Sequence, residues 1–352
     1  MSKKKVFFVL SSLRAGGAER VFWLISQHFD KQNYDVSLVV LDTRKPFFSV
    51  NVQGLNVIQL NCEKSSKSFL KVYRLIKNER PDAIFTTGGQ INFIIALVSL
   101  FVNIPRFIAR ETNLIETQRE FVGVKERFWG NFTKLAYKKI DLSICQSIEI
   151  KESLIRNKNL DPESLIIIPN PVVQTAVIKH PEVSTKKRLI VVARLTEQKG
   201  HSRLLDIFKD LPNDYHLTIA GDGNLKQAIA DQINQFNLQD RVIMLGQVSN
   251  IVEVIAQHDL MVLPSYTEGF PNVVIEALSV GVPVVSFAVS GIASIIKNDF
   301  NGYIVPQNDL AKYKESILKC FAKSWNSEVL KSDVNARFGI SAVVKQYEAL
   351  VA

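Results

Sequence analysis

Short runs of consecutive apolar residues alternate along this chain with longer stretches in which apolar positions recur at helical spacing. In the first half the runs are Val6 to Leu10, Val36 to Leu41, Ala83 to Thr86, Arg106 to Ala109, Leu142 to Cys145 and Leu165 to Ile168. Runs of this length without strict alternation predict strands buried on both faces, and the helical stretches between them predict crossovers in a parallel sheet. Pro169-Asn170-Pro171 breaks the alternation, and polar sequence continues to Lys187, which marks a linker. A second alternation follows, with strands predicted at Arg188 to Ala193, Leu217 to Ala220, Val242 to Leu245, Leu260 to Leu263 and Val284 to Phe287, then a terminal helix over Ser341 to Val351. The expected fold class is α/β, with two doubly wound, Rossmann-like units. They span residues 1–170 and 188–338, joined by a linker at 171–187 and followed by a C-terminal helix at 339–352. Ligands of such sheets bind at the carboxyl ends of the strands.

The longest apolar stretch, Ile91 to Val102, contains Asn92 and Ser99 and falls short of the ~20 residues that span a bilayer, so it predicts a buried helix. Lys3-Lys4-Lys5 before Val6 to Leu10 imitates a leader, but the apolar part is short and Arg14 and a Gly-Gly turn follow it. A first buried strand is the better reading. A length of 352 residues suits two domains, and 47% apolar with 22% charged residues is a globular composition. Cys62, Cys145 and Cys320 are scattered and form no CxxC, which points to a reducing compartment and away from zinc or a disulfide framework. The five histidines show no metal-binding spacing. The net charge of +9 is confined to one half: residues 1–180 carry 26 Lys and Arg against 16 Asp and Glu, and the rest 17 against 18. A basic first unit fits an anionic partner such as a membrane surface, and a solvated basic face explains it equally. No helix-turn-helix, zinc or aromatic RNA-binding signature supports nucleic acid as that partner.

Four strand ends carry candidate chemistry. After the first strand comes Ser11-Ser12-Leu13-Arg14-Ala15-Gly16-Gly17-Ala18-Glu19-Arg20, where paired glycines before a helix expose N–H groups to a phosphate or simply make a tight turn. The second unit opens with Val191-Val192-Ala193-Arg194-Leu195-Thr196-Glu197-Gln198-Lys199-Gly200. Arg194 and Lys199 there could neutralise a diphosphate, Arg by paired hydrogen bonds and Lys as a point charge. Ala220-Gly221-Asp222-Gly223 is a further strand-end turn. Glu268-Gly-Phe-Pro-Asn-Val-Val-Ile-Glu276 places one carboxylate before a helix start and another roughly 8 Å along the helix. Pro271 suits the first helical position, and the helix N-terminus behind Gly269 suits a phosphate. By itself the glutamate pair is explained as well by a loop residue and an exposed helix residue.

In this order, the Gly16 to Arg20 loop, Ile168-Pro169-Asn170-Pro171, the Arg194 to Gly200 segment, Gly221-Asp222-Gly223 and the Glu268 to Glu276 run resemble the family 4 retaining glycosyltransferases of bacterial surface polysaccharide and lipid-linked glycan assembly. The resemblance covers nearly the whole chain. It implies the GT-B fold, with an acceptor-binding first domain, a nucleotide-sugar-binding second domain and a terminal helix packed back on the first. It implies that Arg194 and Lys199 hold the donor diphosphate and that Glu268 contacts the transferred sugar. Glu276 would accept hydrogen bonds from the ribose. Backbone groups of Gly269, Phe270, Asn272 and Val273 would border sugar and phosphates, Gly246 and Val248 would flank the base, and Gly16 and Gly17 would approach from the first domain.

One departure stands out. Many relatives carry a sugar-contacting histidine in the loop that corresponds to Arg110-Glu111-Thr112-Asn113, where this chain has Thr112, so Glu111 or Asn113 is expected to take the contact. The implied partners are a nucleoside-diphosphate sugar, with UDP expected, a saccharide or polyprenyl-diphosphate-linked acceptor, and an anionic membrane surface, with no metal or cofactor. The implied location is cytoplasmic, peripheral at the inner face of the membrane, docked through a basic helix at Val124 to Lys139. A nucleotide-sugar epimerase and a non-catalytic GT-B partner protein are the rival readings.

Overall fold

The computed structural model describes residues 2–14, 16–44, 46–62, 68–112, 137–175 and 186–351. Contacts divide the chain into two units, Met1–Pro171 with Ile340–Ala352, and Val172–Gly339. In the first, the described strands are β1 (Lys4–Ser12), β2 (Tyr34–Asp42), β3 (Asn56–Gln59), β4 (Ala83–Thr87), β5 (Arg106–Glu111), β6 (Leu142–Cys145) and β7 (Leu165–Ile167). They form a parallel sheet in the order β3-β2-β1-β4-β5-β6-β7. The second unit repeats the scheme with β8 (Lys187–Val192), β9 (Tyr215–Ala220), β10 (Val242–Gly246), β11 (Leu260–Leu263), β12 (Val284–Phe287) and β13 (Gly302–Val305), in the order β10-β9-β8-β11-β12-β13. All its pairings are parallel as well. In each sheet the order reverses next to the unit's first strand, between β1 and β4 and between β8 and β11. Helices diverge to opposite faces there and leave a crevice at the strand ends.

Strand β1 shows why the apolar runs are unbroken. Val6, Phe8 and Leu10 point to one face, into a core with Phe22, Ile25 and Tyr347, whereas Phe7 and Val9 point to the other, against Ile84, Ile91 and Ile95. The side-chain period of two with both faces covered leaves no polar position in the strand centre. Phe8 stacks on Phe85 at 4.8 Å and meets Phe22 edge-on at 5.2 Å. The terminal helix, Ile340–Ala349, belongs to the first unit, as the resemblance implies. Its Val343, Val344 and Tyr347 join that core, Asp30 N–H donates to Glu348, and Lys4 donates to the carbonyl of Val351.

The structure departs from the sequence reading at several places. Strands β3 and β13 carry four residues each at sheet edges, and β3, half-buried with exposed ends, lacks a continuous apolar run. The Ile91 to Val102 stretch yields a buried helix only over Gly89–Val98, because Leu100 and Phe101 turn out to solvent. The helix after Gly269 starts at Asn272, with Pro271 as its N-cap residue and not its first helical one. Of the expected linker, 176–185 lie outside the described residues, as do 124–136 of the expected basic helix and all of Asn113.

Candidate functional site

The second unit gathers its chemistry at the crevice between β8 and β11. The segment after β8 turns through a single 3-10 turn, Glu197–Lys199, and ends at Gly200 in the left-handed region at φ +67°. A Cβ at Gly200 would stand 2.1 Å from the carbonyl oxygen of Pro264, so only glycine lets this turn touch the end of β11. The contact is continued by the Tyr266 N–H, which donates to the Gln198 carbonyl at 3.0 Å. Lys199 Nζ then donates to both oxygens of Glu268, at 2.8 and 2.7 Å, and the Ser265 hydroxyl donates to Oε1 at 2.7 Å. The side chains of the pair are only 15% and 13% exposed. Two oppositely charged groups from strand ends on either side of the switch point thus meet in one place, 69 residues apart in sequence.

Arg194 leaves the end of β8 exposed to solvent, and among the described residues its side chain has no hydrogen-bond or ion-pair partner. Its loop is braced by the next strand end. Gly221, at φ +142°, would place a Cβ 1.9 Å from the carbonyl oxygen of Ala193, and Leu195 N–H donates to the Asp222 carbonyl at 3.0 Å. Gly221-Asp222-Gly223 therefore supports the Arg194 segment through its backbone. Gly246 closes the neighbouring strand end, and its carbonyl accepts from Gly221 N–H at 2.7 Å. Val248 follows, half-buried.

Beyond Glu268 the chain enters the helix Asn272–Ser279, which no side chain caps. Its first-turn N–H groups point to the crevice end by the ordinary rule of helix termini. Phe270 is buried and packs on Phe338 at 6.1 Å, with its ring against Gly291, so its backbone and not its ring borders the crevice. Gly269, Asn272 and Val273 are half-buried around it. Glu276 is only 6% exposed, which overturns its reading as an ordinary surface helix residue. A carboxylate buried to that degree needs partners, because desolvation of the charge is otherwise unfavourable.

Sequence reasoning missed the side chains that shape this loop. Arg203 is buried, with its guanidinium sandwiched between the rings of Tyr266 at 3.7 Å and Phe287 at 3.9 Å. Its Nε donates to the Pro264 carbonyl at 2.6 Å and Nη1 to Gln307 Oε1 at 3.0 Å. Gln307 in turn donates from Nε2 to the carbonyls of Ser265, Tyr266 and Ala288. A single arginine and a single glutamine thereby hold the Pro264 to Glu268 turn. Two residues before Arg203, the His201 ring is buried with neither nitrogen hydrogen-bonded among the described residues, and burial beside Lys199 pulls its pKa down to about 4.

The first unit presents its own strand ends. Gly17 opens the uncapped helix Gly17–His28, and Gly16 accepts from Arg20 N–H at 3.0 Å. At the end of β5, Glu111 is held by a chain of hydrogen bonds. Thr86 Oγ1 donates to Asn92 Oδ1 at 2.7 Å, and Asn92 Nδ2 donates to Glu111 Oε1 at 3.2 Å. Burial raises the Glu111 carboxyl above its usual range, and a hydrogen bond from Tyr137 opposes that shift. Arg110, one residue earlier, points into the core, where it donates to Asn170 of the Pro-Asn-Pro break and lies over Phe22. Neighbouring residues of one strand thus face the core and the strand-end network. Among the described residues, no group of three His, Cys, Asp or Glu is placed to hold a metal ion, and no helix is long and apolar enough to cross a membrane.

Comparison with known proteins covers most of the chain. Residues 15–174 match the model of glycosyltransferase family 4, and residues 173–333 match that of glycosyl transferases group 1. The chain is 24% identical over 346 residues to the UDP-Gal:alpha-D-GlcNAc-diphosphoundecaprenol alpha-1,3-galactosyltransferase of Escherichia coli, covering 90% of this chain and 88% of that protein. It is 26% identical over 299 residues to the N-acetylgalactosamine-N,N'-diacetylbacillosaminyl-diphospho-undecaprenol 4-alpha-N-acetylgalactosaminyltransferase of Campylobacter jejuni, covering 80% of each. Among solved structures, Anabaena Alr3699/HepE in complex with UDP and glucose superposes with a TM-score of 0.80 at 18% identity, covering 98% of each chain. Two Rossmann-like sheets with their switch points as described, and two family matches that adjoin and run nearly end to end, lead to one conclusion: the chain belongs to the family 4 glycosyltransferases of GT-B fold.

Proposed function

We propose that this glycosyltransferase is a retaining enzyme that moves a hexose or N-acetylhexosamine from a nucleoside-diphosphate sugar, UDP first among the candidates, to a hydroxyl of a lipid-linked saccharide. The observation that carries the reading is the Lys199–Glu268 pair at the switch point of the second sheet, with Arg194 exposed on the adjoining strand end. A diphosphate placed before the helix Asn272–Ser279 would take the ammonium of Lys199 and the guanidinium of Arg194. Glu268 would then exchange part of its ion pair for sugar hydroxyls. Ser265 keeps its carboxylate oriented during that exchange. Glu276 would accept from the ribose, and the turn at Gly246 and Val248 would flank the base.

The acceptor hydroxyl attacks the anomeric carbon on the face the diphosphate leaves, its proton passing to the departing phosphate oxygen. Negative charge develops on that phosphate, where Lys199, Arg194 and the helix N-terminus supply positive charge already in place. No metal or cofactor enters this step. Glu111, with Gly16 and Gly17, is assigned to the sugar or acceptor side, and Asn113 shares that assignment from the sequence alone. Two relatives are named for undecaprenol-diphosphate-linked acceptors, and the basic first half suits work at the inner face of an anionic membrane.

A screen of nucleotide sugars with undecaprenyl- and short-chain polyprenyl-diphosphate saccharides, read by nucleoside diphosphate release and by the anomeric configuration of the product, tests the proposal. An α-linked product from an α-linked donor, formed equally in the presence of a chelator, is the expected result. Inversion at the anomeric carbon, or conversion of the donor sugar without any acceptor, would overturn it.

A further inference from the structure

The longest apolar stretch of the sequence ends on the surface of the first unit. Phe101 is 68% exposed and Leu100 51%, and Leu70, next to Phe69 at the start of the helix Phe69–Glu79, is 61% exposed. Phe101 stands edge-on against Phe69 at 6.3 Å and against Tyr73 at 6.4 Å, one turn further along the same helix. Lys71, Arg74 and Lys77 are exposed on that helix, and Lys77 lies over the Tyr73 ring at 5.5 Å. Segments 68–78 and 99–106 contain Lys71, Arg74, Lys77 and Arg106 and no Asp or Glu. Glu79, at the end of the helix, is taken up by Lys5 at 2.7 Å.

We propose that this patch, with Leu70, Leu100 and Phe101 as its apolar tip and Lys71, Arg74 and Lys77 as its rim, docks the first unit on an anionic lipid bilayer. Aromatic and aliphatic tips flanked by cations match the two layers of a bilayer interface, acyl boundary and anionic headgroups. The alternative occupants fit less well. A second copy would set cationic rim against cationic rim, which is unfavourable. Three side chains offer roughly a few hundred Å², against the roughly 800 Å² per partner of a stable dimer. Two relatives, moreover, are named for undecaprenol-diphosphate-linked acceptors, whose lipid is held in a membrane. Each apolar tip residue should add on the order of tenfold to the partition coefficient, and each rim cation about fivefold on an anionic surface. The inference rests on the membrane-acceptor part of the proposed function and is independent of its site chemistry.

Co-sedimentation of the full chain with vesicles of phosphatidylcholine, with and without phosphatidylglycerol, tests the docking. Wild type should bind the anionic vesicles, less in high salt. Leu100→Ser with Phe101→Ser should lower the partition coefficient by on the order of a hundredfold, and Arg74→Glu with Lys77→Glu should abolish the preference for phosphatidylglycerol. Val329→Ser, which removes an exposed apolar side chain of the second unit, should change nothing. Thermal melts confirm that each variant is folded, and turnover with a water-soluble acceptor should match wild type in all of them. Unchanged vesicle binding in both patch variants overturns the proposal, and so does a concentration-dependent dimer that the serine pair dissolves. Loss of vesicle binding with intact soluble turnover supports it. Absence of soluble turnover in wild type would refute the proposed activity and leave the vesicle result to decide the docking separately.

Discussion

Removing the ammonium of Lys199 is the sharpest perturbation the second unit permits. At 2.7 to 2.8 Å from both oxygens of Glu268, the gross attraction is about 6 kcal/mol at an effective dielectric of ~20. Desolvation of two side chains that are only 15% and 13% exposed offsets much of that, so the net worth of the pair is far smaller. Lys199→Ala removes the attraction and leaves Glu268 buried with the Ser265 hydroxyl as its remaining described partner. Breaking one side of a buried pair costs on the order of 3 kcal/mol, which lowers Tm by roughly 6–12 °C in a domain of this size. If Lys199 also stabilises charge on the leaving diphosphate, kcat should fall by about 10²–10³, the usual loss for one preorganised donor.

The two effects separate in a cycle of Lys199→Met, Glu268→Gln and the double variant, assayed by nucleoside diphosphate release and by thermal melts. The double variant removes both charges and should recover most of the lost stability. It should not recover turnover. Near-wild-type kcat/KM in a folded Lys199→Met enzyme, or turnover that returns together with stability in the double variant, would refute the reasoning and make the pair a purely structural contact.

Three further outcomes follow from the packing. Arg203→Met leaves the Pro264 carbonyl and Gln307 without their donor and loosens the Glu268 turn, so it should destabilise by about 3 kcal/mol and raise the donor KM; urea denaturation and donor titration check this. Gly221→Ala should cost more than about 2 kcal/mol, since its φ is +142° and the new Cβ would meet the Ala193 carbonyl at 1.9 Å; a variant as stable as wild type in denaturant would contradict the brace. Burial raises the Glu111 carboxyl above its usual 4.5, so the stability it contributes is fully present below that value and lost as pH rises through the raised folded one. Glu111→Gln should therefore gain stability relative to wild type across that interval, and a pH-independent difference in urea melts would contradict the buried setting of Glu111.

The local rules of the chain determined a great deal by themselves. Unbroken apolar runs of five or six residues bounded by turn signals, such as Val6 to Leu10, match strands covered on both faces, and the Pro169-Asn170-Pro171 break separates two sets of them, because side-chain period and turn chemistry act over a few residues. Strand-end glycines and the Glu268 to Glu276 run also marked the crevice of the second unit. Edge strand β3 escaped notice because its half-covered Asn-Val-Ile-Gln carries only two apolar residues, and β13 because the apolar part of Gly302–Val305 is only three residues long. Only the tertiary structure decided which charges meet. Lys199 reaches Glu268 because β8 and β11 are neighbours across the order reversal, a consequence of crossover packing over 69 residues that no local pattern encodes. The same holds for Arg203, which no sequence motif marks and on which Tyr266 and Phe287 close from two other strand ends. Glu276 likewise reads as solvent-exposed until its helix is packed. The end of the Ile91 to Val102 stretch shows the converse. Hydrophobicity alone assigned Leu100 and Phe101 to the interior, and the turn that ends the helix at Val98 put them outside.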